Sequence, residues 1–118
     1  MPAENKRRQL IARTAAQAAL ALRRIWVTRG GLVSGVEVGL VLTEVYFTPN
    51  PWVSAQYVTD RLTGVYSQDT VRRRLEDMVD HGSVEVVELG GRKLYRSQPH
   101  AANATIEVVK EAYQTLCD

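Results

Sequence analysis

The segment SQDTVRRRLEDMVDHG, residues 67–82, begins with a residue type that caps helices and ends with one that stops them. Ser67 can accept a hydrogen bond from the first free N–H groups of a helix, and Gly82 tolerates the left-handed conformation that follows one. Apolar residues recur between them at helical spacing, namely Val71, Leu75, Met78 and Val79. The pattern predicts an amphipathic helix over 67–81. Arg73 points away from the apolar face of this helix. Packing of that face therefore does not account for the arginines of the first turns.

A shorter helical pattern, VSAQYVTDRLTG at 53–64, precedes this segment. Ser54 is its predicted N-cap, and Gly64 is predicted to end it. Tyr57, Val58 and Leu62 place apolar groups at helical spacing. Two short helices joined by a tight, glycine-containing turn are typical of a helix-turn-helix.

The segment SVEVVELGGRKLYRS, residues 83–97, contains two β-prone runs separated by Gly90 and Gly91. A two-glycine separation predicts a β-hairpin with a two-residue turn. The turn sets Leu89 opposite Arg92, Glu88 opposite Lys93, Val87 opposite Leu94, Val86 opposite Tyr95, and Glu85 opposite Arg96. Two of these pairs join opposite charges and two join apolar side chains, which supports this register.

Two further helices are predicted at the ends of the chain. Residues 4–28 lack proline and glycine, and residues 101–116 again show helical periodicity. Each carries an apolar seam at alternating spacings of four and three. The seams are Ile11, Ala15, Ala18, Leu22 and Ile25 in the first helix, and Ile106, Val109, Tyr113 and Leu116 in the last. Such seams suit pairing between two copies, although they would also pack on each other within one chain.

The segment SGVEVGLVLTEVYF, residues 34–47, favours a helix but leaves a strand open, because it is rich in β-branched residues. Ser34 followed by Glu37 is a capping-box pattern. The apolar residues of this segment share one helical face, namely Val38, Val41, Leu42 and Val45.

Composition and charge limit the classes of protein. The 118 residues suit one domain, and no run approaches the roughly 18 apolar residues of a membrane span. The single cysteine, Cys117, fits a reducing compartment, so we expect a cytoplasmic, soluble protein. The whole chain has a formal charge of only +2, yet residues 1–29 hold seven basic residues against Glu4. That basic helix is either a nucleic-acid contact or a solvated face.

The stretches VSAQYVTDRLT, SQDTVRRRLEDMVDHGSV and VVELGGRKLYRS resemble the winged helix-turn-helix transcription regulators, and within them the MarR-like family. RKLYR is also similar to PadR-like wings, and the hairpin lacks the aspartate that many MarR-like wings carry two residues before their arginine. The resemblance implies a mostly α, α+β fold in a single domain, 1–118. It implies an N-terminal dimerisation helix at 4–29, a winged helix-turn-helix core at 34–98 and a C-terminal dimerisation helix at 100–117.

These elements predict contacts to double-stranded DNA. The first turns of helix 67–81 would enter the major groove as a recognition helix, and hairpin 84–97 would act as a wing at the minor groove. The predicted DNA-binding residues are Ser54, Gln56, Ser67, Gln68, Asp69, Thr70, Arg72, Arg73, Arg92 and Lys93. The alternative is that Arg72, Arg73 and Arg74 only form surface ion pairs with the acids at 76, 77 and 80. Asp69 would accept from cytosine, pair with Arg73 or serve the helix dipole.

The sequence therefore predicts a homodimeric, sequence-specific DNA-binding repressor of pseudo-palindromic sites. The alternative is a winged-helix module that binds a protein in a replication or transcription assembly without contacting DNA. We expect no enzyme, since the chain has no nucleophile motif and no Gly-rich phosphate loop. We expect no metal or cofactor either, because His81 and His100 lie far apart in the sequence. MarR-like proteins often bind small phenolic effectors, but no residue pattern here locates a pocket for one.

Overall fold

Five helices and one β-hairpin make up most of the chain in the computed structural model, which describes residues 2–117 and the side chains of residues 2–114. The elements are α1 (Pro2–Thr28), a 3-10 turn (Val33–Gly35), α2 (Val36–Tyr46), α3 (Ala55–Arg61), α4 (Gln68–His81), β1 (Val84–Leu89), β2 (Arg92–Ser97) and α5 (Pro99–Cys117). The fold is mostly helical, with one small antiparallel sheet, as predicted. None of the described helices combines the length and apolar character needed to cross a membrane.

Both helices of the predicted helix-turn-helix start where the sequence places their caps. The Ser54 hydroxyl accepts a hydrogen bond from the Tyr57 N–H at 3.1 Å, and the Ser67 hydroxyl accepts one from the Thr70 N–H at 3.2 Å. Gly82 ends α4 in the left-handed region, at φ +88°. These caps fix where α3 and α4 begin, and therefore which side chains occupy their first turns.

The hairpin adopts the predicted register, from Glu85 opposite Arg96 to Leu89 opposite Arg92. Both turn glycines have positive φ, as a two-residue hairpin turn of this kind requires. Val53, which the sequence analysis left outside the sheet, exchanges two backbone hydrogen bonds with Tyr95 at 2.7 and 3.0 Å. This single bridge holds the entrance to α3 against β2.

The central core lies between α2, α3, α4 and the hairpin. Val71 and Leu75 of α4 are completely buried, and Met78 is 5% exposed, which confirms the predicted apolar face. The other buried residues of the central core are Val38, Val41, Leu42, Val45, Val53, Ala55, Val58, Val84 and Tyr95. In segment 34–47, the apolar residues of the predicted helical face are buried, and the segment forms a helix and not a strand.

The predicted capping box at the start of α2 is wrong. Ser34 lies within the 3-10 turn, and the residue at the N-cap position, Gly35, makes no side-chain capping bond. Glu37 instead forms an ion pair with Arg23 of α1. Because the 3-10 turn already winds the chain into α2, Ser34 is not the residue that precedes the first turn of that helix.

Trp26 joins α1 to α2 through a second, smaller cluster with Val36 and Val108. Its indole N–H donates to the Leu32 carbonyl at 2.8 Å. A Cβ atom at Gly39 would lie 2.5 Å from the Trp26 ring. The close approach of ring and helix therefore requires glycine at this position of α2.

The terminal helices pack on each other along part of their predicted seams. Leu22 and Ile25 are half-buried beside the Trp26 cluster, so this part of the α1 seam packs within one chain. Toward the other end, Ile11 is 62% exposed, and Tyr113 of α5 is 66% exposed. Leu116, also predicted to lie in a seam, falls outside the described side chains. Packing within one chain therefore covers only part of the predicted pairing surface.

The hairpin is also tied to α4 through Tyr95. The phenol of this otherwise buried residue donates to Glu76 Oε1 at 2.7 Å, and the Lys93 ammonium lies 3.4 Å from the same oxygen. Burial, followed by the bond to Glu76, raises the pKa of Tyr95. The Tyr95 bond and the Lys93 ammonium lower the pKa of Glu76. The contact is therefore made by a neutral phenol and an ionised carboxylate.

We predict that Gly39→Ala destabilises the protein by about 1–3 kcal/mol, because the added methyl group must displace the Trp26 ring. In an unobstructed helix the same change stabilises by about 1 kcal/mol. Denaturant unfolding would measure the effect. A double variant with Trp26→Leu is the control. Without the ring, Gly39→Ala should lower the free energy of unfolding by a smaller amount. A stabilised Gly39→Ala protein would contradict the packing described here.

We predict that the stability difference between the wild type and Tyr95→Phe narrows at alkaline pH. A free tyrosine ionises near pH 10, but folding raises the pKa of Tyr95, so the wild type must keep a proton that its unfolded chain releases. The contribution of the Tyr95 hydroxyl to the free energy of unfolding is therefore full below about pH 10. Above that pH it falls by up to about 1.4 kcal/mol per pH unit. Unfolding free energies from pH 7 to 11 would test this, and a pH-independent difference would contradict it.

Candidate nucleic-acid interface

A cleft of about 450 Å³ opens where the first turns of α3 and α4 face the hairpin. Six of the ten predicted DNA-binding residues line it, namely Ser54, Gln56, Gln68, Arg72, Arg92 and Lys93. Ala55, Glu88, Gly91 and Tyr95 complete the lining. The folded chain thus brings together polar side chains that are up to 39 positions apart, counted from Ser54 to Lys93.

The other four predicted residues lie on α4 or at its cap, outside the lining of this cleft. The hydroxyls of Ser67 and Thr70 are 3.0 Å apart and bond to each other, so the N-cap engages both. Asp69 is largely exposed and forms an ion pair with Arg72 at 3.2 Å. Arg73 is exposed and has no carboxylate partner among the described residues.

The three consecutive arginines have three different environments. Arg72 pairs with Asp69, three residues earlier in the helix. Arg74 stacks its guanidinium on the Tyr66 ring, 4.1 Å from the centroid. Only Arg73 extends into solvent without a partner in the part of the chain that the structure describes. The alternative in which all three arginines pair with the acids at 76, 77 and 80 is not what the described residues show, since Arg72 pairs with Asp69 and Glu76 faces the hairpin.

The cleft is lined by more positive than negative charge. Arg72, Arg92 and Lys93 contribute three basic groups, against the carboxylate of Glu88. The Arg72–Asp69 pair is solvent-exposed, and exposed ion pairs contribute little. A phosphate group can therefore replace Asp69 as the partner of Arg72 at small cost. Arg92 makes no ion pair within residues 2–114.

Two polar groups near α3 are engaged inside the protein. The Gln56 amide donates to Asp60 at 2.7 Å, which occupies one of its N–H groups. The Arg61 guanidinium lies 2.6 Å from Glu44, and that hydrogen bond raises the pKa of Arg61. Arg61 is consequently held toward α2, outside the cleft lining.

The first turn of α4 adds backbone groups to the interface. The first N–H groups of a helix have no partner within it, and the helix dipole makes this end electropositive. The Ser67 hydroxyl satisfies the N–H of Thr70, while the amides before it remain at the helix end beside Gln68. Such an end can hold an anion such as phosphate.

A separate cavity of about 200 Å³ lies between α1, α4 and α5. His81 and His100, which are distant in the sequence, both line it together with Trp26. The His81 imidazole Nε2 is 2.6 Å from the Gly30 carbonyl oxygen, so it links the end of α4 to the end of α1. Within the described residues, His, Cys, Asp and Glu nowhere gather in the threes that a metal ion requires.

Sequence analysis missed two features that border the interface. Val53 forms an isolated bridge to Tyr95 of β2, and Trp52 lies against the Arg96 guanidinium, whose central carbon is 4.6 Å from the ring centroid. Val53 stands just before the Ser54 cap, and a single bridging residue leaves no alternating pattern to detect. The pairing of Arg96 with Glu85, by contrast, followed directly from the hairpin register.

Comparison with protein-family models, with curated proteins and with solved structures finds no match to this chain. Its function must therefore be inferred from the geometry and chemistry of its own residues.

Proposed function

We propose that this protein is a sequence-specific, double-stranded DNA-binding transcriptional regulator with a winged helix-turn-helix fold of the MarR-like or PadR-like kind. One observation carries the proposal: the first turns of α4 are exposed beside a basic cleft and present Arg73 to solvent without a partner in the described chain. A helix that serves only as a solvated face has no need of an adjoining cleft lined by three basic side chains.

In the proposed complex, α4 enters the major groove with its N-terminal turns toward the base edges. Arg73 has the planar donor pair that recognises guanine or clamps a phosphate. Gln68 has the amide that recognises adenine. The free amides at the start of α4 receive a phosphate, and Ser54 and Gln56 lie where the same strand continues past α3.

The hairpin acts as the wing. The turn at Gly90 and Gly91 carries no side chains, so it is narrow enough to approach the minor groove. Arg92 and Lys93 follow the turn and supply the positive charge. The bond from Tyr95 to Glu76 ties the hairpin to α4, and this fixes the angle between the two DNA-contacting elements.

Two copies would bind a pseudo-palindromic site as a homodimer, with their α4 helices roughly 34 Å apart, one turn of the duplex. Occupying such a site would exclude other proteins, so repression is the expected outcome. The single cysteine near the end of the chain suits a cytoplasmic location. The proposal includes no catalytic role and no cofactor.

The alternative function is a winged-helix module that binds a protein. Leu89 at the hairpin tip is 62% exposed, and the carboxylates of Asp69 and Glu88 flank the basic groups. Apolar and acidic groups in that position favour a protein surface over a phosphate backbone. Binding to duplex DNA separates the two functions directly.

We predict that Arg73→Ala weakens binding to a duplex selected from random DNA by about 1–3 kcal/mol. The variant should fold normally, because Arg73 is exposed and makes no ion pair with the described residues. Arg24→Ala is the matched control, since Arg24 is an exposed arginine on α1 that makes no ion pair with the residues described. Gel-shift titration would measure both variants. Equal losses would mean that total charge, and not the position on α4, sets the affinity.

We predict a steep fall in affinity with salt, because phosphate contacts release counterions from the duplex. Arg92→Ala should reduce the slope of log affinity against log salt by about one. Fluorescence anisotropy at four salt concentrations would give both slopes. A wild-type affinity that is insensitive to salt would reject phosphate contact and favour the protein-binding module.

A further inference from the structure

A groove of about 560 Å³ lies between the end of α2, the start of α3 and the hairpin. Lys93 and Tyr95 of β2 point toward Glu76 on α4. Side chains alternate along a strand, so Arg92 and Leu94, which line the groove, point to the opposite face of the hairpin. The groove therefore opens on a different side of the wing from the basic cleft of the candidate interface, and we call it the outer groove.

The outer groove has a buried apolar floor and an exposed rim. Val45 and Val53 are 5% and 8% exposed, and Trp52 beside them is half-buried. Tyr57 of α3 and Leu89 at the hairpin tip are 41% and 62% exposed. A small molecule on the floor would leave both rim residues in solvent, whereas a polypeptide segment covers floor and rim together. Tryptophan, tyrosine and arginine are also the residues that most often carry the binding energy of a protein contact.

Contacts within the chain hold the outer groove in shape. The backbone of Val53 exchanges two hydrogen bonds with Tyr95. The ring of Trp52 lies against the guanidinium of Arg96, which is itself paired with Glu85. A binding surface that already has its final shape loses little conformational entropy when it is occupied. The floor of the groove therefore does not have to be assembled by its occupant.

The charges of the outer groove select an acidic occupant. The carboxylate of Glu44, the single acid of the lining, is 2.6 Å from the Arg61 guanidinium. Arg92 is the single cation of the lining and makes no ion pair with the described part of the chain. The charge that is left without a partner is therefore positive. A guanidinium can hold a carboxylate through two parallel hydrogen bonds.

Two other occupants match the outer groove less well. A nucleic-acid strand binds through several phosphates, and Arg92 alone supplies one cation for them. The longest exposed segment of a second copy, residues 2–17 of α1, holds four basic residues against one acid. Its charge has the same sign as that of Arg92. The observations therefore favour an acidic segment of another protein.

We propose that the outer groove binds an acidic, apolar segment of a partner protein. A carboxylate of the segment pairs with Arg92, and its apolar side chains cover Val53, Leu89 and Leu94. Arg92 and Ser54 line both the outer groove and the basic cleft. The bound segment therefore competes with phosphate for Arg92 and weakens DNA binding. This last consequence rests on the proposed function, but binding of the segment does not.

Selection of peptides tests the occupant. Random peptides displayed on phage would be selected on the full chain, and the enriched peptides would be synthesised with a fluorescent label. We expect sequences that place aspartate or glutamate next to leucine, phenylalanine or tryptophan. Tyr57→Ala should weaken their binding about tenfold or more, as the loss of an aromatic contact does. Tyr113→Ala is the matched control, because Tyr113 is a 66% exposed tyrosine on α5.

Fluorescence anisotropy would give the affinities of the peptides for both variants. Peptides that bind Tyr57→Ala as tightly as Tyr113→Ala would overturn the proposal, and so would a selection that enriches no peptide.

A charge reversal tests the role of Arg92 without changing the core, since this side chain is exposed. Arg92→Glu should weaken binding of the acidic peptides about tenfold or more, and selection on this variant should enrich basic peptides instead. Unchanged affinity for the acidic peptides would overturn the proposal. Labelled single-stranded oligothymidine is the nucleic-acid probe. Tighter binding of oligothymidine than of any peptide, lost in Tyr57→Ala, would identify a nucleic-acid occupant and overturn the proposal as well.

Competition separates failure of this proposal from failure of the DNA-binding function. A saturating peptide should lower the affinity of the wild type for a selected duplex several-fold. Tyr57→Ala should bind the duplex as the wild type does and should resist the peptide. Peptide binding that leaves duplex affinity unchanged would overturn the competition for Arg92. A protein that binds the peptides but no duplex would support the outer groove and reject the DNA-binding function.

Discussion

The candidate interface depends on Tyr95 more than on any other residue. Its backbone pairs with Val53, which holds the entrance to α3, and its ring is 1% exposed within the central core. Its phenol reaches out of that core to Glu76 on α4. One residue, through its backbone and its side chain, therefore connects three elements whose polar groups line the cleft. The cost of burying a phenol is offset here by a hydrogen bond to a charged acceptor, which is stronger than a bond between neutral groups.

The arginines of α4 show how a chain with little net charge can present a strongly cationic group. Asp69, Tyr66 and Glu76 each engage one basic side chain of α4 or β2, in an ion pair or a ring stack. Arg73 lies between engaged neighbours and remains unpaired among the described residues. Its guanidinium is free for an external partner, whereas its neighbours hold the helix and hairpin in place. The total charge of the chain does not reveal which of these arginines lacks a partner.

Local sequence chemistry was sufficient to predict the parts of the fold that depend on neighbouring residues. Ser54 and Ser67 cap the helices they precede, and the two-glycine turn sets every pair of the hairpin. Each of these depends on contacts within a few residues or across one turn. The α4 face was equally predictable, since helical periodicity decides which side is buried.

Features that depend on distant contacts were not predictable. Ser34 and Glu37 match a capping box, yet Arg23 of α1 takes the carboxylate. His81 and His100 line one cavity because α4 and α5 converge there, and nothing in their spacing indicates it. The sequence showed an apolar seam on α1, but it did not show that only its second half meets the same chain. In each case a partner brought close by the tertiary fold decides the outcome.

The packed half of α1 supports a long exposed half. Trp26 is held between the Leu32 carbonyl and Gly39, and packing on the same chain continues from it to Ala18, beyond which the helix runs for about 24 Å to Pro2. A rotation of 10° at Ala18 would displace the N-terminal end of the helix by about 4 Å, given that length. A change in tilt too small to disturb the packing around the indole would therefore produce a much larger displacement at the N-terminal end of α1.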